Sequence, residues 1–134
     1  MNAALGVVQL KKLEAMCNKR KKVSDKYNAA FTKVDSIKIP HIKNNRETSY
    51  HLYVIKVKNR NQLIDKLGEA GIGTSVHFIP IHKHSYYKDK YRYKNEDYPI
   101  ANQVFNESIS LPIYPDLTDN EVEYIIKQVV KYAE

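Results

Sequence analysis

The feature that most constrains the fold is an uninterrupted helical pattern at the start of the chain. From Ala3 to about Val34, the apolar positions Leu10, Leu13, Cys17, Val23, Tyr27, Ala30, Phe31 and Val34 recur mostly at three- and four-residue steps. That period predicts one long amphipathic helix and is compatible with a break near Lys22. At 1.5 Å per residue, about 30 residues reach roughly 45 Å, longer than a small domain is wide. One end must therefore project past the core. The first turns, Ala3-Ala4-Leu5 and Val7-Val8-Leu10, are apolar nearly all round and are expected to pack against partners outside this domain.

The rest of the chain alternates short extended and helical patterns. Ile37-Lys38-Ile39 reads as a short strand, Lys43 to Thr48 as a polar loop, and Tyr50 to Val57 as a central strand covered on both faces. A helix begins at Asn61 with Leu63, Ile64, Leu67 and Ala70 on one face, and Gly71 is placed to stop it. Thr74-Ser75-Val76 favours an extended strand. Pro99 to Ser108 reads as a helix with Ile100, Val104 and Phe105 inward, and Ile109 to Ile113 as extended. Thr118 and Glu121 have capping-box spacing, followed by a stripe of Val122, Ile125, Ile126, Val129 and Val130. The expectation is an α+β fold: a small, largely antiparallel sheet packed with helices (35–134), preceded by the long linking helix (1–34).

At 134 residues the chain holds one domain, too short for a cofactor domain plus a substrate domain. Cys17 is the one cysteine, so no disulfide framework forms; its spacing from Leu13 suggests a small core residue. No apolar run approaches the ~20 residues of a membrane span, and Met1 leads straight into a helix pattern, which suits a reducing cytoplasm. The net charge of +7 raises nucleic-acid binding, but residues 11 to 26 concentrate seven basic against two acidic groups on one helix. With four arginines in the chain, that lysine-rich face reads as solvated rather than base-reading. Ser85 to Tyr98 interleaves rings with charge as single-strand binders do, yet four basic residues there meet three acidic ones.

Packing alone does not account for Gly71 to Tyr87, G-I-G-T-S-V-H-F-I-P-I-H-K-H-S-Y-Y. Gly71 and Gly73 let the backbone reverse, the β-branched run extends, and three imidazoles arrive at a strand end. His77, His82 and His84 offer rings on alternate sides of an extended segment with no nearby cysteine, which ranks metal binding below substrate contact. The order G-I-G-T-x-x-H-F-x-P-x-H followed by aromatic residues resembles the C-terminal region of the DegT/StrS sugar-nucleotide aminotransferases, pyridoxal-phosphate enzymes of fold type I. Ala3 to Tyr27 is similar to the helix that follows that family's cofactor domain, and Ser110 to Glu121 (S-L-P-I-Y-P-D-L-T-D-N-E) to its closing motif.

The resemblance implies a C-terminal small domain whose full enzyme, a homodimer, moves an amino group from an amino acid such as glutamate to a nucleotide-linked keto sugar. It implies that His77 and Phe78 face the substrate cleft, with His82 and Tyr86 or Tyr87 shaping and contacting the nucleotide-sugar pocket. His84 is expected at the surface. Pyridoxal phosphate would be held by a lysine of an N-terminal domain, so no catalytic, cofactor-binding or metal-binding residue is expected in this chain and none of the cofactor bound to it. Without the resemblance, His77 reads as an imidazole satisfied at a strand end. The rival readings are a stand-alone interaction or regulatory module with the small-domain fold, and a single-strand nucleic-acid binder.

Overall fold

A computed structural model describes residues 2–133 of the protein. Helix α1 (Asn2–Phe31) runs 30 residues without a break at Lys22. Strand β1 (Tyr53–Lys56) follows, then α2 (Arg60–Glu69), α3 (Ser85–Tyr91), α4 (Pro99–Glu107), β2 (Ser108–Leu111) and α5 (Asp119–Tyr132). Short 3-10 turns at Ile81–Lys83 and Asn95–Asp97 flank α3.

β1 and β2 pair antiparallel, Tyr53 opposite Leu111 and Ile55 opposite Ile109. Single bridges extend the sheet on each side, Lys38 to Lys56 and Ser75 to Ser110. β1 and β2 thus lie in the middle, and the expected strands at 37–39 and 74–76 shrink to one bridge each. The Tyr50–Val57 strand also starts late, at Tyr53. Tyr50 sits at φ 52°, in the left-handed region, and Arg20 Nε donates to the Ser49 carbonyl at 2.9 Å, fastening the chain to α1 just before the strand.

Side chains alternate across a strand, so one sheet face carries Tyr53, Ile55, Ile109 and Leu111, all buried. Val23, Tyr27 and Phe31 of α1, Leu63 and Leu67 of α2, and Val122, Ile125 and Val129 of α5 complete the core. Tyr27 and Tyr53 meet with ring centroids 4.9 Å apart, and each buries a polar end that finds a partner. Tyr27 Oη donates to the Pro112 carbonyl at 2.9 Å and Tyr53 Oη to Asn28 Oδ1 at 2.7 Å. Burying each large apolar side chain contributes about 1.5–3 kcal/mol, which is why the stripe on α5 decides its orientation.

The helix signals hold in detail. Gly71, at φ 75°, follows α2 in a Schellman arrangement: its N–H donates to the Gly68 carbonyl at 3.0 Å, and Ile72 N–H to that of Leu67 at 2.8 Å. Leu67 and Ile72 are both buried, supplying the apolar contact that accompanies this stop. At α5, Thr118 N–H donates to Glu121 Oε2 at 2.8 Å and Glu121 N–H to Thr118 Oγ1 at 3.3 Å, the expected capping box. Hydrogen bonds from Thr118 hold the Glu121 carboxyl below the usual carboxylate range.

Other expectations are corrected. Leu10 and Leu13 do not reach the core; α1 joins it only from Val23 onward, and Leu5, Val7, Val8, Leu10 and Leu13 are exposed. Cys17 is half-buried, and its Sγ accepts from Arg20 Nη2 at 3.3 Å. Ile100 and Val104 of α4 are exposed rather than inward, and no residue of that helix is buried. No described helix is long and apolar enough to cross a membrane.

Candidate substrate-facing site

The second sheet face carries Val54 opposite Ser110 and Lys56 opposite Ser108. Both serines are buried, a polar pair inside an otherwise apolar strand. Ser110 is held on both backbone sides: its N–H donates to the Ser75 carbonyl at 2.8 Å, and its carbonyl accepts from Ser75 N–H at 3.2 Å. That bridge carries the segment after Gly73 across the sheet and delivers His77 two residues later, with Nδ1 2.9 Å from Ser110 Oγ. The His77–Phe78 peptide is cis, and the Phe78 ring meets the imidazole edge-on at 4.9 Å.

His77 lines two concavities. A cleft of about 170 Å³ is shared with His51, Ser75, Ser110 and Pro112. A second, of about 320 Å³, is shared with Phe78, Pro80, Val104 and Phe105. The first sets two imidazoles and two serines among Leu52, Leu111, Pro112 and Ile113, so its polar edge is confined to groups that both donate and accept hydrogen bonds. The second is walled mainly by Val76, Pro80, Val104 and Phe105 with Ser108 among them, and its rim carries Phe78, 76% exposed, a large ring with little of its own chain to cover it. A larger cavity, about 540 Å³ between Gly71–Gly73 and α5, is lined by Tyr114 and Tyr124 but by no histidine.

The other expected site residues lie on a separate lobe. His82 is buried; its Nε2 is 2.9 Å from Asn102 Oδ1, and its ring stacks on Tyr98 at 4.7 Å. It ties the 3-10 turn to α4 and lines neither cleft of His77. Tyr86 and Tyr87 stand exposed on α3, edge to face at 5.2 Å, and line neither cleft as well. His84 is exposed, as expected, with Nε2 3.2 Å from the Ile79 carbonyl. Of the residues expected to meet substrate, His77 and Phe78 line these clefts and His82, Tyr86 and Tyr87 do not, while His51, Ser75 and Ser110 stand beside His77 without having been expected there. Serines at 108 and 110 in an apolar strand were the available signal for a polar floor.

A site that holds pyridoxal phosphate covalently needs a desolvated lysine, whose amine then loses its proton readily. None of the 18 lysines is buried. Lys21 and Lys66 are pushed the other way, above the ordinary lysine value, by their hydrogen bonds to Asp25 and Glu69. The residues present do not fit that role, and no chemical step is assigned to the cofactor on this chain. Among the described residues no group of three His, Cys, Asp or Glu side chains is arranged to hold a metal ion.

Comparison with known proteins gives one consistent result. Residues 1–130 match the model of the DegT/DnrJ/EryC1/StrS aminotransferase family. The spore coat polysaccharide biosynthesis protein SpsC of Bacillus subtilis is 37% identical over 96% of the chain, which covers 35% of SpsC. A dTDP-3-amino-3,6-dideoxy-alpha-D-galactopyranose transaminase of Aneurinibacillus thermoaerophilus is 30% identical over 99% of the chain and 36% of its own length. Among solved structures, Helicobacter pylori PseC, an aminotransferase involved in the biosynthesis of pseudoaminic acid, superposes with a TM-score of 0.89 at 26% identity. That match covers 97% of the chain and 36% of PseC. The chain spans about a third of the length of the relatives it matches.

Proposed function

Because the chain belongs to the DegT/DnrJ/EryC1/StrS aminotransferase family, we propose that it works as the C-terminal small domain of an enzyme that aminates a nucleotide-linked keto sugar. The amino group comes from an amino acid such as glutamate, and pyridoxal phosphate, held elsewhere in the enzyme, supplies the carbonyl and electron sink for the exchange. The observation that carries this reading is His77, clamped by Ser110 at a strand end where two clefts meet. One imidazole nitrogen is committed to Ser110, which leaves Nε2 to meet a sugar hydroxyl or phosphate oxygen. Phe78 forms the apolar rim, and Tyr86 and Tyr87 meet the nucleotide end of the substrate; His82 shapes that region from within by holding the lobe to α4.

The exposed first half of α1 and the uncovered rim at Phe78 suit contact with a cofactor domain and a second subunit. The lone cysteine suits a reducing cytoplasm. A stand-alone interaction module is the competing reading, and the exposed α1 face alone would serve it equally; the histidine-and-serine cleft would then have no use.

A chimera in which this chain replaces the matching third of PseC tests the proposal. Transamination of a nucleotide-linked keto sugar is the expected result, with His77→Ala lowering kcat/KM about tenfold to a hundredfold, the worth of a hydrogen bond to a charged oxygen. The lysine-bound cofactor spectrum should stay unchanged. A folded, cofactor-loaded chimera without activity, or a His77→Ala variant at full efficiency, would overturn it.

A further inference from the structure

Between Ile81 and Tyr98 the chain builds a lobe threaded by a run of aromatic contacts. His82 stacks on Tyr98 at 4.7 Å, Tyr98 meets Tyr93 at 5.5 Å, Tyr93 stacks on Tyr91 at 5.5 Å, and Tyr91 on Tyr87 at 6.3 Å. Tyr86 closes the series against Tyr87. The inner end is anchored, since His82 is buried; the outer end is open, with Tyr91 52% and Tyr86 61% exposed. No residue of α3 is buried, so core formation does not explain three tyrosines on its seven residues.

A cation is fixed on the same ridge. Lys90 Nζ donates to Tyr86 Oη at 2.9 Å and lies 5.2 Å and 5.5 Å from the Tyr86 and Tyr91 ring centroids. Among the described residues it forms no ion pair, although Asp89 is its sequence neighbour. Flat rings offer stacking surface at low entropic cost, and a positive charge held beside them meets an anion attached to a stacked group. A nucleoside diphosphate, the handle of the substrate class proposed above, joins a planar ring to a short polyanion.

We propose that Tyr86, Tyr87 and Tyr91, with Lys90, form a platform that stacks the base and pairs the diphosphate of a nucleotide-linked substrate. The inference rests on the functional reading above and adds Tyr91 and Lys90 to it as binding residues. A single strand of nucleic acid is the less suitable occupant. It requires a basic track along several nucleotides, whereas Ser85 to Tyr98 sets three acidic residues against four basic ones.

Calorimetric titration of the chain with uridine diphosphate, inorganic pyrophosphate, uridine and oligouridine tests the platform, with circular dichroism checking that each variant is folded. Uridine diphosphate should bind more tightly than either of its halves. Tyr91→Leu should weaken it about fivefold to a hundredfold, the worth of one stacked base, and leave pyrophosphate unchanged. Tyr91→Phe, which keeps the ring, should bind like the parent, and Lys90→Gln should weaken uridine diphosphate and pyrophosphate alike. Parental affinity in both Tyr91→Leu and Tyr86→Leu, no uridine diphosphate binding up to millimolar concentration, or tighter salt-sensitive binding of oligouridine would each overturn the platform. The two readings fail separately. An active chimera that needs His77 while Tyr91→Leu is silent sinks the platform alone; an inactive chimera beside Tyr91-dependent nucleotide binding sinks the transaminase reading alone.

Discussion

Ser110 Oγ sits 2.9 Å from His77 Nδ1, joining the middle of β2 to a residue 33 positions earlier in the chain. Ser110 cannot drift, because its backbone is paired with Ser75 and its register partner is Val54. The serine is therefore a fixed post that sets the direction of the imidazole ring. A hydroxyl both donates and accepts, so it accommodates either neutral tautomer.

Ser110→Ala is expected to cost about 1 kcal/mol of stability by leaving a half-buried ring nitrogen without its partner. In the PseC chimera it should also lower kcat/KM, by less than His77→Ala, since the ring remains but its orientation is released. Denaturant unfolding and steady-state kinetics read the two effects. Unchanged kinetics with the expected stability loss would make the contact purely structural.

The buried tyrosine pair predicts weakened stability in alkali. Burial pushes Tyr27 and Tyr53 well above the ordinary tyrosine value, with the neighbouring phenolate charge adding to the effect at Tyr27. Because folded values are raised, the unfolded chain releases these protons first. Stability is complete below about pH 10 and falls above it, at up to about 1.4 kcal/mol per pH unit for Tyr27, with Tyr53 acting in the same direction. Chemical denaturation between pH 8 and 11 (about the span that brackets this value) should show that fall, and the double variant Tyr27→Phe, Tyr53→Phe should flatten it. A parental fall in the double variant would assign the alkaline sensitivity to other groups.

The exposed stripe on α1 predicts self-association. Leu5, Val7, Val8 and Leu10 are each half or more exposed on a helix that has no core beneath it before Val23. Sedimentation velocity should show mass rising with concentration, and Leu5→Lys with Val8→Lys, one turn apart, should return the chain toward monomer without unfolding it. A concentration-independent monomer in the parent would show that the stripe is tolerated in water.

Pyridoxal phosphate mixed with the isolated chain should give no stoichiometric absorbance band assignable to one lysine. Every lysine is at least partly solvated, and the two with perturbed values are held protonated by Asp25 and Glu69. Borohydride trapping followed by peptide mapping checks this; a single labelled lysine at equimolar cofactor would refute it.

Local structure was legible because it depends on neighbours in sequence. The four-residue spacing of Val23, Tyr27 and Phe31, the stop at Gly71 and the Thr118–Glu121 cap each rest on bonds or burial within a few residues. The α+β class followed from their alternation, whereas composition marked the segment holding His77 only as unexplained by packing. Periodicity shows which face of a helix is apolar but not whether anything covers it. Leu10, Leu13, Ile100 and Val104 carry the same signal as buried residues and lie in solvent.

The site itself was decided by tertiary structure. His77 meets Ser110 because two strands and a bridge bring distant residues into one register, and His82 turns inward because Asn102 and Tyr98 wait for it across the lobe. Sequence determined the elements and their apolar faces, since those follow from local hydrogen bonding and side-chain period. Only the packed chain determined which polar groups share a cleft, because that depends on how β1 and β2 align, a choice made by the burial of Tyr53, Ile55, Ile109 and Leu111 on the opposite face of the sheet.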